Sequence, residues 1–141
     1  MVLTRDEREQ FLAEPHIAAL SVAAGGDRAP LTVPVWYRYT PGSDVRVLTG
    51  AHSRKARLIE AAGRFTIMVD RLEPTVRYVT VEGPVTDVTP ATRDDLHTVA
   101  ARYLPPEKVD GYVDFAWEDH GDQVIFHLRP EHWLSSDLGT V

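Results

Sequence analysis

Ser53, Arg54 and Lys55 stand together just after Thr49-Gly50, and Arg57 follows two residues on. Serine is a good helix N-cap, and Gly63 falls where a helix C′ glycine belongs. The spacing therefore predicts a short basic helix between them, entered from the strand-like run Val45, Val47, Leu48 through a tight Gly-containing turn. Leu58, Ile59, Ala62 and the stem of Lys55 form one apolar face at helical spacing. Arg54 and Lys55 then occupy the first turn, the positive end of the helix dipole, where acids are preferred. Two cations there cost a few tenths to about 1 kcal/mol each. A docked anion removes that cost, because free backbone N–H groups, the Ser53 hydroxyl and both cations converge on it. This chemistry is that of a phosphate site. The alternative is a solvated basic helix end that tolerates the repulsion.

The second candidate stretch is Pro30 to Tyr39, which reads as a strand with Pro34 in its middle. Proline cannot donate to a ladder, so the strand is bulged or open on one side there. An open backbone flanked by Trp36 and Tyr37 suits a flat heterocycle. An edge strand protected by proline is the competing explanation. Other chemistries find no support. Phosphate-loop and dinucleotide glycine motifs are absent, and no serine stands in a nucleophile elbow. None of the six histidines has zinc-ligand spacing, so no metal is expected. Asp94-Asp95 and Glu118-Asp119 read as solvated helix acids. No catalytic residue declares itself, and the demanding chemistry of any enzyme here would belong to a cofactor.

The elements that must position these residues can be read in order. Thr4 and Glu7 form a capping box for a first helix that buries Phe11 and Leu12 and closes at Glu14-Pro15. His16 to Val22 is a first strand, and Gly25-Gly26-Asp27 turns it into the proline-bearing second. Phe65, Ile67 and Val69 alternate in a buried strand after Gly63. Thr75 to Val88 is a long strand with a bulge expected at Gly83-Pro84, which suits a curved sheet or barrel. Thr89-Pro90 is expected to open a helix with proline at N1, burying Leu96, Val99, Ala100 and Tyr103. A helix from Glu107 to about Trp117 follows the Pro105-Pro106 break. Gln123 to Leu128 is the expected last strand. The segment beyond it, with Trp133, Leu134 and Leu138, is too apolar for a free tail and wants cover from a ligand or a neighbouring subunit.

The 141 residues suit one domain, 1–141. A net charge of −6 argues against nucleic acid as the main ligand, which makes the basic run from Arg54 to Arg64 stand out. The chain has no cysteine, which removes disulfides and thiolate chemistry. No apolar run approaches the roughly 18 residues of a membrane span, and the first ten residues lack the apolar core of a signal peptide. A cytoplasmic protein without membrane contact is expected.

Three stretches in this order carry a family resemblance: Pro30 to Tyr37, then Thr49-Gly50 with Ser53 to Arg57, then Tyr78 to Val85. From about Arg5 to Leu138 the chain resembles the pyridoxamine 5′-phosphate oxidase-like superfamily, and more narrowly its actinobacterial flavin/deazaflavin oxidoreductase branch. The resemblance implies an α+β, mainly β fold: a split β-barrel of the FMN-binding type, homodimeric, with the cofactor at the subunit interface. It implies ring contacts from Val33, Pro34, Val35 and Trp36, and phosphate contacts from Thr49, Ser53, Arg54, Lys55 and Arg57. Arg77 and Tyr78 would reach the site from the partner subunit, and Tyr37 and Trp133 would wall a substrate pocket. Vitamin B6 oxidases carry an arginine-rich C-terminal motif for the substrate phosphate. Here Leu128 to Trp133 lacks it, so pyridoxamine phosphate oxidation is not expected.

The cofactor implied is FMN or the deazaflavin coenzyme F420. F420 carries a phosphodiester and a polyglutamate tail, and Arg54, Lys55 and Arg57, with Arg64 and Arg77, could balance that charge. The first expectation is therefore an F420-dependent oxidoreductase moving a hydride between reduced cofactor and an unsaturated organic small molecule. The alternatives are an FMN-dependent oxidase or reductase on the same fold and a non-catalytic flavin- or deazaflavin-binding protein.

Overall fold

The computed structural model describes residues 1–119 and 121–140. The elements are α1 (Arg5–Ala13), β1 (Ala18–Val22), β2 (Leu31–Val35), β3 (Tyr37–Arg38), β4 (Val45–Gly50), α2 (Arg54–Ala62), β5 (Arg64–Arg71), β6 (Val76–Pro90), α3 (Arg93–Tyr103), α4 (Pro106–Asp119), β7 (Gln123–Leu128) and β8 (His132–Gly139). All pairings are antiparallel, in the order β2-β1-β5-β6-β7-β4-β3. Strands β2 and β3 are two halves of one run, separated by Trp36. The sheet therefore returns on itself and forms a split barrel, as the resemblance implied.

The kink in β6 makes the split possible. Its first half pairs with β5 and β8, and its second half pairs with β7. At Gly83 the Arg129 carbonyl packs so close that a Cβ would overlap it, so only glycine fits the crossing. The register slips between Val85 and Asp87, just beyond the expected Gly83-Pro84 position.

The helix caps follow the sequence signals. Thr4 and Glu7 make the capping box of α1, and Ser53 caps α2 by accepting from the Ala56 N–H at 3.1 Å. Gly63 ends α2 with φ 72°, the left-handed conformation glycine tolerates.

Four boundaries differ from expectation. Strand β1 starts at Ala18 rather than His16, and the proline-bearing strand is interrupted at Trp36. Thr89-Pro90 stays in β6, where Pro90 lies opposite Val124, and α3 opens instead at a Thr92–Asp95 capping box. Two satisfied N–H groups at that box outweigh proline's preference for N1. The C-terminal segment is not a tail but a further strand, β8, which makes β7 the penultimate one. Its cover on one edge comes from β6, although Leu134 and Leu138 remain exposed.

Two apolar cores result. The larger fills the barrel with residues such as Leu20, Val47, Ile67, Val79 and Phe126. The smaller lies between α3 and α4 and is built from Leu96, Ala100, Val109, Val113 and Ala116, with Trp36 and Leu48 of the barrel packed against it. Among the described residues no helix is long and apolar enough to cross a membrane.

Candidate cofactor cavity

Between the two cores lies a cavity of about 400 Å3, within the range of roughly 300–1,000 Å3 usual for small-molecule sites. The barrel contributes Pro34, Val35 and Trp36 on one side and Leu48, Thr49 and Gly50 on the other. The α3–α4 hairpin closes it with Leu96, Val99, Tyr112 and Ala116, and Lys55 enters from the first turn of α2.

The apolar wall is aromatic. The Trp36 ring stacks on Tyr103, with centroids 4.8 Å apart and planes 11° from parallel, and meets Tyr112 at 5.1 Å. Such contacts hold a ring more firmly than its buried area alone. Burial raises the Tyr112 pKa above the ordinary phenol value.

The polar end is built around α2. Ser53 Oγ donates to the Gly50 carbonyl at 2.9 Å and lies 3.5 Å from Thr49 Oγ1. The first turn of α2 contains no acid, and the N–H groups of Arg54 and Lys55 have no helical acceptor one turn back. Lys55 is half-buried, and burial alone pulls its pKa below 10.5. No carboxylate among the described residues balances it. A cation desolvated without a partner is unfavourable, and an anion in the cavity would relieve it.

The structure gathers some of the expected residues and disperses others. Pro34, Val35, Trp36, Thr49 and Lys55 line the cavity together. Val33 lines an adjoining shallow groove that shares Ile17 and Pro34 with it. Ser53 stands behind the lining as the α2 cap, while Arg54 and Arg57 point to solvent outside it. Arg64 pairs with Glu131 at 3.0 Å.

Arg77 and Tyr78 lie on β6, away from this cavity; Arg77 Nε donates to Asp137 at 2.9 Å. Tyr37 is a correction. Its side chain is fully buried in the barrel core, and its hydroxyl donates to the Leu12 carbonyl at 2.6 Å, so it does not wall the cavity. Trp133 is a second. It faces a separate, polar crevice of about 270 Å3, with the Arg8 guanidinium 4.6 Å above its ring. Alternation along a strand puts neighbouring residues on opposite faces, so Trp36 and Tyr37 part company.

Gln123 is a site residue that sequence reasoning missed. It is only 7% exposed, its Nε2 donates to the Ala116 carbonyl at 3.2 Å, and it lines the cavity. Tyr112 was legible only as one apolar position on a helix face. Neither stands in a motif, because both reach the cavity through the packing of α4 against the barrel.

The chain is thus an antiparallel split β-barrel with a cavity of small-molecule size beside Trp36. The pyridoxamine 5′-phosphate oxidase family model matches residues 4–137, and the chain belongs to that family. No curated protein matches it. Among solved structures it is similar to the conserved hypothetical protein Rv2991 of Mycobacterium tuberculosis, with 22% identity, 97% of this chain and 86% of that one covered, and a TM-score of 0.71. It is also similar to a protein described as an F420 reductase, with 24% identity, coverage of 89% and 94%, and a TM-score of 0.63. A third is an FAD-binding protein of Mesorhizobium loti, with 17% identity, coverage of 97% and 95%, and a TM-score of 0.64. At these identities the likeness speaks for the fold.

Proposed function

We propose that this protein is an F420-dependent oxidoreductase acting on an unsaturated organic small molecule. The observation that carries the reading is Lys55, a half-buried cation with no counter-ion among the described residues, in the first turn of α2 and facing a cavity walled by aromatic and aliphatic groups. That donor set suits a planar ring joined to a phosphate. The F420 reductase among the structural neighbours is consistent with it.

In this reading the bound reduced deazaflavin supplies the hydride. The chain's own residues bind, orient and exclude water. Lys55 and the α2 N–H groups hold the phosphate. Pro34, Val35 and Trp36 offer a flat apolar surface that keeps the ring in one orientation and keeps water from it. Thr49 and Gln123 supply the few fixed polar groups that set the ring's direction. A homodimer belongs to the same proposal, with Arg77 and Tyr78 delivered to the partner's site.

One observation favours FMN instead. Of the expected cations only Lys55 lines the cavity, which matches a single phosphate better than a longer anionic tail. Fluorescence titration of the purified protein with F420 and, separately, with FMN decides between them. Tight F420 binding with weak FMN binding supports the proposal. The reverse preference, in a protein purified yellow, moves it to FMN. Tight binding without turnover of any enone or quinone acceptor leaves a binding protein rather than an enzyme.

A further inference from the structure

The pairing of β1 with β2 stops abruptly. Ala18 lies opposite Val35 and Ala19 opposite Pro34. Continued for two more residues, that register would set His16 against Tyr37. The ladder does not continue. The Tyr103 hydroxyl, from the last residue of α3, sits between the two strands instead. It accepts from the Tyr37 N–H at 3.2 Å and donates to the His16 carbonyl at 2.8 Å, with the Tyr37 carbonyl 3.3 Å away.

One hydroxyl therefore takes the place of a direct backbone bond, serving one strand as acceptor and the other as donor. The residues between the last ladder pair and this bridge are Ile17 and Trp36, and both line the cavity. The Tyr103 ring also carries the Trp36 stack. Arg102 adds to the fastening, with its guanidinium over the Tyr37 and Tyr103 rings.

We propose that Tyr103 is a positioning residue: its hydroxyl wedges the β1–β2 seam open and so presents Trp36 as the wall of the cavity. The wedge itself stands on the backbone geometry. Its consequence for cofactor binding rests on the reading of this cavity given above. Without the hydroxyl, the His16 carbonyl and the Tyr37 N–H lose their shared partner. They then bond to each other, closing the seam and drawing Trp36 away from the cavity.

The test is Tyr103→Phe, which keeps the ring and removes the hydroxyl. Protein labelled with 5-fluorotryptophan reports on the three tryptophans, Trp36, Trp117 and Trp133, and Trp36→Phe assigns the Trp36 fluorine resonance. The expected result is a displaced Trp36 resonance with the other two unchanged, and F420 affinity weaker by about tenfold, the weight of one buried hydrogen bond. An unmoved Trp36 resonance overturns the wedge. A moved resonance with unchanged affinity overturns the positioning role. If the wild-type protein binds neither F420 nor FMN, the proposed function falls, while the fluorine result still decides the wedge. Should Tyr103→Phe not fold, amide exchange of wild-type Tyr37 decides: protection like that of β2 supports the bridge, and free exchange overturns it.

Discussion

Lys55 is placed against its own stability. Burial lowers its pKa from 10.5, so between the folded and unfolded values the unfolded chain holds more protons. Lys55 thus penalises the fold at neutral pH, and the penalty fades as pH rises toward 10.5. An anionic cofactor reverses the balance by favouring the ammonium. Binding is then expected to take up a proton at alkaline pH, and affinity to fall as pH rises through the free-protein pKa; calorimetry in buffers of different ionisation enthalpy reads both. Lys55→Met should show the same opposition, leaving stability unchanged or slightly raised while weakening binding by about 1.5–3 kcal/mol, the range of a hydrogen bond to a charged group. A variant that loses stability and keeps affinity would remove Lys55 from the phosphate site. The sequence signalled this residue through its place in the first turn of a capped helix. It could not signal Gln123 or Tyr112, whose partners lie on other elements.

Strand β6 is the element on which the fold turns, and Gly83 is its most constrained position. A side chain there meets the Arg129 backbone rather than a movable group. In chemical denaturation Gly83→Ala is expected to destabilise by about 3 kcal/mol, the upper end of the usual cost of overpacking, because the clashing atom is backbone. An unchanged midpoint would mean that the Arg129 strand connection yields freely. At the other end of β6, Asp137 of β8 accepts from Thr75 Oγ1 at 2.6 Å, the Gly139 N–H at 2.9 Å and Arg77 Nε at 2.9 Å. These bonds, led by Thr75, hold its pKa down from 3.8 to about 2. A depressed carboxylate stabilises the fold above its unfolded pKa, and that contribution is lost as pH falls from 3.8 to about 2. Acid titration should therefore loosen the β8 end first, seen as faster amide exchange at 136–139, and Asp137→Asn should show that loosening already at neutral pH.

At the scale of the whole molecule, Leu134 and Leu138 are each 63% exposed on β8, and Arg77 and Tyr78 lie away from their own cavity. The proposed homodimer would explain both, and light scattering should give twice the mass of one chain. Mixing a Lys55→Met variant with an Arg77→Ala variant should then restore binding at a fraction of sites if the two residues serve one site from different subunits. A monomer that binds cofactor tightly would count against an interface site. What the sequence determined alone was local: the Thr4–Glu7 box, the Ser53 and Gly63 ends of the basic helix, and the alternation of Phe65, Ile67 and Val69. Each depends on residues within one turn or one strand, where propensity and spacing act directly. The resemblance carried by three ordered stretches supplied the barrel. Only the tertiary structure decided that the C-terminal segment is a strand, that Tyr37 and Trp36 face opposite ways, and that Tyr103 ends the β1–β2 pairing. Those outcomes depend on which distant backbone is left with unpaired N–H and C=O groups once the sheet has closed, and no local pattern in the chain records that.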